Sequence, residues 1–76
     1  MELPTLSADR QVLADHVERV VSEKTRGMIR GLRVEVRPGE VILSGRARTY
    51  YAKQLATHAV LDAIEDAALT NAIEVL

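Results

Sequence analysis

The sequence predicts an α+β fold: a two-layer αββαβ sandwich in which a three-stranded mixed sheet carries two helices packed on one face. Three observations predict it. Two segments repeat apolar residues at helical spacing, two shorter segments alternate apolar and polar residues around a Pro-Gly turn, and the last eight residues alternate again. The chain has 76 residues, 47% of them hydrophobic, so we expect one small domain over residues 1–76, with a flexible N-terminal segment at 1–7.

The first helix is predicted from about Ala8 to Arg26. Ser7 is a favourable N-cap residue, and Gly27 is a natural C-cap because glycine readily adopts the left-handed conformation that ends many helices. The apolar residues at helical spacing, which are expected to face the core, are Val12, Leu13, Val17, Val20, Val21 and Met28.

A β-hairpin is predicted next. Apolar and charged residues alternate over residues 32–37, and Pro38-Gly39 is a turn in which proline sets the first φ angle and glycine permits a positive second one. A two-residue turn fixes the register of the two strands. The expected cross-strand pairs are Val36 with Val41, Val34 with Leu43, and Arg37 with Glu40.

Gly45 interrupts the second strand, where glycine weakens pairing, so its position needs a physical reason. The register continues with Gly45 on the buried face beside Leu32. A missing side chain there leaves room for a closely packed helix or for a β-bulge. Thr49 is expected to cap the second helix, predicted over residues 50–66, whose alanine-rich inner face comprises Ala52, Leu55, Ala56, Ala59, Val60 and Ala63.

Charge is distributed unevenly, although the net charge is only −1. Residues 26–53 carry seven basic and two acidic residues, or +5, whereas residues 1–25 carry −2 and residues 54–76 carry −4. Such segregation predicts a positive patch on a nearly neutral protein. The outer face of the sheet, which no remaining segment covers, is expected to carry Arg33, Glu35, Arg37, Ile42, Ser44, Arg46 and Glu74.

The motif residues resemble those of the BON domain, a small bacterial αββαβ module. A hairpin turn, a valine, a leucine, a glycine and a small polar residue that opens a helix match Gly39, Val41, Leu43, Gly45 and Thr49. The pattern of the final strand matches Leu69, Asn71, Ile73 and Val75. Glu65-Asp66 departs from the family, which usually has Gly-Val before that strand. The resemblance implies attachment to phospholipid surfaces, or a role as an interaction module in cell-envelope proteins.

Basic residues of the central segment are the candidate binding site for a lipid headgroup or another anion. The predicted site comprises Arg33, Arg37, Arg46, Arg48, Lys53 and Tyr51. Arg46 and Arg48 precede a helix N-terminus, which favours phosphate, and each basic residue near an anionic membrane contributes about 1 kcal/mol. The alternative is a solvated sheet face with ion pairs of Arg37 with Glu40, and of Glu74 with Arg33 or Arg46.

Catalysis is not expected. His16 and His58 have no nucleophile or metal ligands nearby in sequence, and the chain contains no catalytic motif and no cysteine. We therefore predict a non-enzymatic module without cofactor or metal. The chain has no signal-peptide pattern and no transmembrane segment, which predicts a cytoplasmic protein, or a cell-envelope domain if it belongs to a longer exported protein.

Two alternatives to lipid attachment stay open. The first is a protein-interaction or self-association module, similar to ring-building domains of secretion systems, that uses the outer sheet face or a strand edge. The second, ranked last, is single-stranded RNA binding, which would need a GxxG loop and stacking aromatic residues. The sequence has neither, so nucleic acid is not an expected partner.

Overall fold

The computed structural model describes residues 6–64 and 67–76, and the side chains from residue 10 onward within them. The elements follow the predicted order and confirm the α+β sandwich. They are α1 (Leu6–Thr25), β1 (Ile29–Arg37), β2 (Glu40–Ala47), α2 (Tyr50–Ala63) and β3 (Ala68–Val75).

The sheet is mixed, and β2 is its central strand. β1 pairs with β2 in antiparallel orientation, and β3 pairs with β2 in parallel orientation. Both helices lie on one face of the sheet, where α1 packs against β1 and α2 packs against β3 and α1. The core lies between the two layers and includes Val17, Val21, Val41, Leu43, Val60 and Ile73.

Helix α1 differs from its prediction at its N-terminal end. It begins at Leu6, so Ser7 lies inside the helix and is not its N-cap. The rest of the predicted flexible segment, residues 1–5, lies outside the described residues. Val12 was predicted to face the core, but it is 69% exposed because it lies on the solvent side of the helix. The first left-handed residue after the helix is Arg26, with a φ of +53°, and not Gly27 as predicted; Gly27 follows it with a φ of +72°.

Helix α2 begins as predicted, because the Thr49 hydroxyl accepts a hydrogen bond from the Ala52 backbone N–H at 3.1 Å. Its buried residues are Ala52, Ala56, Ala59 and Val60, which confirms the alanine-rich inner face. The helix ends at Ala63, three residues earlier than predicted. Glu65-Asp66, where the sequence departs from the family pattern, lies outside the described residues.

The hairpin has the predicted register near its turn, but it contains a β-bulge farther along. Gly31 and Leu32 together lie opposite Gly45, and Gly31 has a φ of +62°, which is typical of a bulge that begins with a left-handed glycine. The extra residue shifts the alternation of side chains on β1. As a result, Ile29 enters the core opposite Ala47, and Arg30 lies opposite Arg46 on the outer face.

The bulge also explains Gly45. A Cβ atom on Gly45 would lie 3.0 Å from the Arg30 carbonyl oxygen, 3.0 Å from Ile29 Cγ2 and 3.3 Å from Leu32 Cα. All three atoms belong to β1. The bulge alternative is therefore confirmed, and the atoms nearest to the missing side chain belong to β1 and not to α2.

Asn71 joins β3 to α2. Its Nδ2 donates hydrogen bonds to the Lys53 carbonyl oxygen at 3.1 Å and to Thr57 Oγ1 at 2.8 Å, while its Oδ1 accepts one from the Ile73 backbone N–H at 3.0 Å. Asn71 thus satisfies polar groups of both elements across a half-buried layer. The asparagine that matches the family pattern at this position therefore has a structural role, because it holds β3 to α2.

We predict that Gly45→Ala lowers the free energy of unfolding by about 2–3 kcal/mol, because the φ of +146° is strained for alanine and β1 leaves no room for a Cβ. Gly31→Ala is the matched control, since Gly31 also has a positive φ but no atom lies within 4 Å of its Cβ position. That variant should lose only about 1 kcal/mol. Urea unfolding measures the free energy of unfolding of both variants. Equal losses would contradict the close packing of β1 against Gly45.

We also predict that Asn71→Ala lowers the free energy of unfolding by about 2–3 kcal/mol, since each of three hydrogen bonds contributes about 1 kcal/mol. Thr70→Ala, one residue earlier on β3, removes one exposed hydrogen bond to Glu40 and should cost about 0.5 kcal/mol. Thermal unfolding compares the two variants. A similar loss for both would show that Asn71 does not hold β3 to α2.

Candidate anion-binding site

One end of the domain brings together the ends of all five elements. Ile29 of β1 pairs with Ala47 of β2, which pairs with Val75 of β3. The Leu76 N–H continues this pairing by donating to the Ala47 carbonyl oxygen at 2.9 Å. Helix α1 ends and α2 begins beside these strand ends. We call residues 26–30, 46–52 and 74–76 the basic end, because they include four arginines and one glutamate, or +3.

A concavity of about 810 Å³ opens at the basic end. The guanidinium-bearing residues that line it are Arg30, Arg46 and Arg48, and its apolar lining consists of Met28, Ala47, Ala52 and Leu76. No aspartate or glutamate side chain of the described residues lines it, and none forms a salt bridge with these arginines. The site therefore combines positive charge with an apolar surface.

Arg30 and Arg46 are directly opposite each other on adjacent strands, and both are exposed on the outer face. Like charges at opposite positions destabilise a strand pair. Glu74 lies beside Arg46 on the other side, as the register of β3 shows, but it forms no ion pair with a described arginine. An anion bound between the two guanidinium groups would relieve their repulsion.

Exposed apolar and aromatic side chains concentrate at the same end. Seven large hydrophobic residues of the described chain are exposed, and five of them belong to the basic end: Met28, Tyr50, Tyr51, Val75 and Leu76. Single exposed hydrophobic residues are ordinary, but their concentration beside an arginine cluster is typical of a surface that contacts a partner.

The structure separates the residues of the predicted site. Arg46, Arg48 and Tyr51 lie at the basic end, with Arg46 and Arg48 at the concavity. Arg33 lies opposite Ser44, which is two residues from Arg46 along β2. Lys53 is half-buried on α2 and does not line the concavity.

Arg37 lies at the hairpin end, six residues from Arg46 along the sheet, or about 20 Å. Its Nε donates to Glu35 Oε2 at 2.8 Å, and this hydrogen bond, together with the charge of Glu35, raises the pKa of Arg37. The predicted ion pair with Glu40 is wrong. In the described residues the Glu40 carboxylate instead accepts a hydrogen bond from Thr70 Oγ1 at 3.0 Å.

The site residues that the sequence prediction missed include Arg30, Met28 and Leu76. Met28 was predicted to face the core from the first helix, which is wrong, because it follows the end of α1 and is 40% exposed. An uninterrupted register would place Arg30 on the core face opposite Ala47, and only the bulge turns it outward. A signal was present, because Ile29 is out of phase with the apolar series that begins at Leu32, and Gly31 stands between them. Such a phase change around a glycine indicates a bulge.

A second concavity of about 800 Å³ lies between α1 and β1. Two arginines, Arg10 and Arg33, and two glutamates, Glu18 and Glu35, line it. Because these charges cancel, it offers no preference for an anion. The basic end is therefore the better candidate site.

The described residues offer little for catalysis. His16 and His58 are both exposed, and no cluster of described acidic, histidine or cysteine residues is arranged to hold a metal ion. None of the described helices combines the length and apolar character needed to cross a membrane.

Comparison with known proteins identifies the family. The family model described as the BON domain matches residues 9–76, nearly the whole chain. Neither the curated proteins nor the solved structures include a significant match. The family is one of binding domains and not of enzymes, and phospholipid binding is the activity attributed to it. The chain belongs to the BON domain family.

Proposed function

We propose that this domain is a binding module that attaches to anionic phospholipid surfaces through its basic end. The observation that carries the proposal is the placement of Arg30 directly opposite Arg46, with Arg48 at the same concavity and no described carboxylate in ion-pair contact with any of them. Lipid phosphates supply the anions that would bind between these guanidinium groups.

The attachment is weak and electrostatic. With a net charge of +3 at the basic end and about 1 kcal/mol per basic residue, the surface contributes about 3 kcal/mol, or roughly a hundredfold, to partitioning onto an anionic membrane. Exposed charges are screened over about 8 Å at physiological ionic strength. Attachment should therefore weaken sharply as salt is added.

The residues around the arginines suit the membrane interface. Tyr50 and Tyr51 are exposed on the first turn of α2, and tyrosine favours the level of the lipid headgroups. Lys53, which directly follows the basic end along α2, would add to its positive field, whereas Arg33 lines the concavity beside α1 together with Glu18 and Glu35. Arg37 would contribute little, because it lies at the opposite end of the sheet and binds Glu35.

A second candidate function is strand pairing with another protein chain, and the two sheet edges favour β3 for it. β1 carries a bulge and three outward-facing arginines, features that protect a strand edge from pairing. β3 pairs with β2 over eight consecutive residues without a shift, carries no basic residue, and has no described strand on its outer edge. An extended segment of a partner would add to that edge.

We predict that the wild-type domain co-sediments with vesicles containing anionic phospholipid at low salt, and not with neutral vesicles. Arg46→Gln/Arg48→Gln should bind about thirtyfold more weakly, because two basic residues are lost at about 1 kcal/mol each. Glutamine is preferred to glutamate at these positions because Glu74 lies beside Arg46.

Arg10→Gln/Arg19→Gln is the matched control, since it makes the same change in net charge on α1. It should bind vesicles like the wild type. Equal binding by the two double variants would assign attachment to overall charge and not to the basic end. Failure of the wild type to bind anionic vesicles, together with a size that rises with protein concentration, would favour strand pairing instead.

A further inference from the structure

We infer that the concavity at the basic end is a binding site for one single-chain anionic amphiphile, with the chemistry of a monoalkyl phosphate. The inference rests on the proposed function and goes beyond it. Attachment to a membrane surface needs only exposed arginines, whereas this site would also take the first part of a hydrocarbon chain.

The apolar side of the concavity is built for contact with methylene groups. Met28 and Leu76 are 40% and 76% exposed there, and buried Ala47 and Ala52 line it between them. Alanine on both β2 and α2 leaves depth that larger side chains would fill. A hydrocarbon chain lying against these residues would cover apolar surface that the described part of the chain leaves in water.

The polar side of the concavity fixes where the phosphate would lie. Arg30 and Arg46 face each other across two strands, and Arg48 follows Arg46 by two residues in the loop before α2. Guanidinium groups bind phosphate oxygens with paired, charge-assisted hydrogen bonds. Thr49, which also lines the site, accepts from Ala52 N–H and keeps its own hydroxyl proton for donation.

The combination distinguishes this concavity from its neighbours. Its volume of about 810 Å³ lies within the roughly 300–1,000 Å³ of small-molecule sites, which pair an apolar lining with a few polar groups. The concavity beside α1 is equally large, but glutamates as well as arginines line it. A smaller concavity on the outer sheet face shares Arg30 and Arg46, but Glu74 also lines it. Tight binding is therefore expected to require both the negative charge and the hydrocarbon chain of the ligand.

The test is a calorimetric titration of the full chain with dodecyl phosphate below its micelle-forming concentration, compared with inorganic phosphate and with neutral dodecyl maltoside. Each buried methylene raises affinity about fourfold, so contact with four of them predicts dodecyl phosphate binding at least about a hundredfold tighter than inorganic phosphate. The expected stoichiometry is one to one. Dodecyl maltoside should bind at least about tenfold more weakly than dodecyl phosphate, because it lacks the anion.

Met28→Gln/Leu76→Gln removes the exposed apolar lining without changing charge, and it should weaken dodecyl phosphate binding at least tenfold. Val12→Gln/Leu61→Gln is the matched control, because these residues are also exposed, at 69% and 53%, but do not line the concavity. That variant should bind like the wild type. Thermal unfolding checks that both variants fold.

Equal affinity for dodecyl phosphate and inorganic phosphate would overturn the inference, as would unchanged binding by Met28→Gln/Leu76→Gln. Vesicle binding separates this failure from failure of the proposed function. If the wild type binds anionic vesicles but binds dodecyl phosphate no more tightly than inorganic phosphate, only the inferred amphiphile-binding site fails. If it binds neither vesicles nor dodecyl phosphate, both proposals fail.

Discussion

The close approach of β1 to Gly45 is the contact on which the site depends. Because Gly45 has no side chain, the two bulge residues Gly31 and Leu32 fit opposite it, and the extra residue reverses the side-chain alternation toward the start of β1. Ile29 can then fill the core opposite Ala47 while Arg30 turns outward beside Arg46. Gly45, together with the left-handed Gly31, thus allows Ile29 to pack in the core while the neighbouring Arg30 pairs with Arg46 on the outer face.

The two ends of the domain differ in what their charged groups do. At the hairpin end, Arg37 binds Glu35, and Glu40 accepts a hydrogen bond from Thr70, so these groups are satisfied within the described chain. At the basic end, Arg30, Arg46 and Arg48 line one concavity beside exposed apolar side chains. Arginines that form no ion pair with the described residues, next to exposed apolar side chains, would suit a ligand or surface that carries both negative charge and hydrocarbon, as an anionic lipid does.

Most of the fold could be predicted from the sequence, because helical spacing, alternation, the Pro-Gly turn and the Thr49 cap are local signals. The site could be predicted only in part. The positive segment is visible as composition, but which arginines meet depends on the bulge and on the parallel pairing of β3, which bring distant residues together. For that reason the site predicted from the sequence included Arg37 together with Arg46 and omitted Arg30.

The most direct test of the account is a map of backbone amide NMR shifts in the ¹⁵N-labelled chain as bicelles containing anionic lipid are added. The account predicts that the largest changes fall on the basic end, residues 26–30, 46–52 and 74–76, and that they disappear at high salt. Changes centred on the β3 edge or on the hairpin turn, or a map with no localised changes at all, would contradict it.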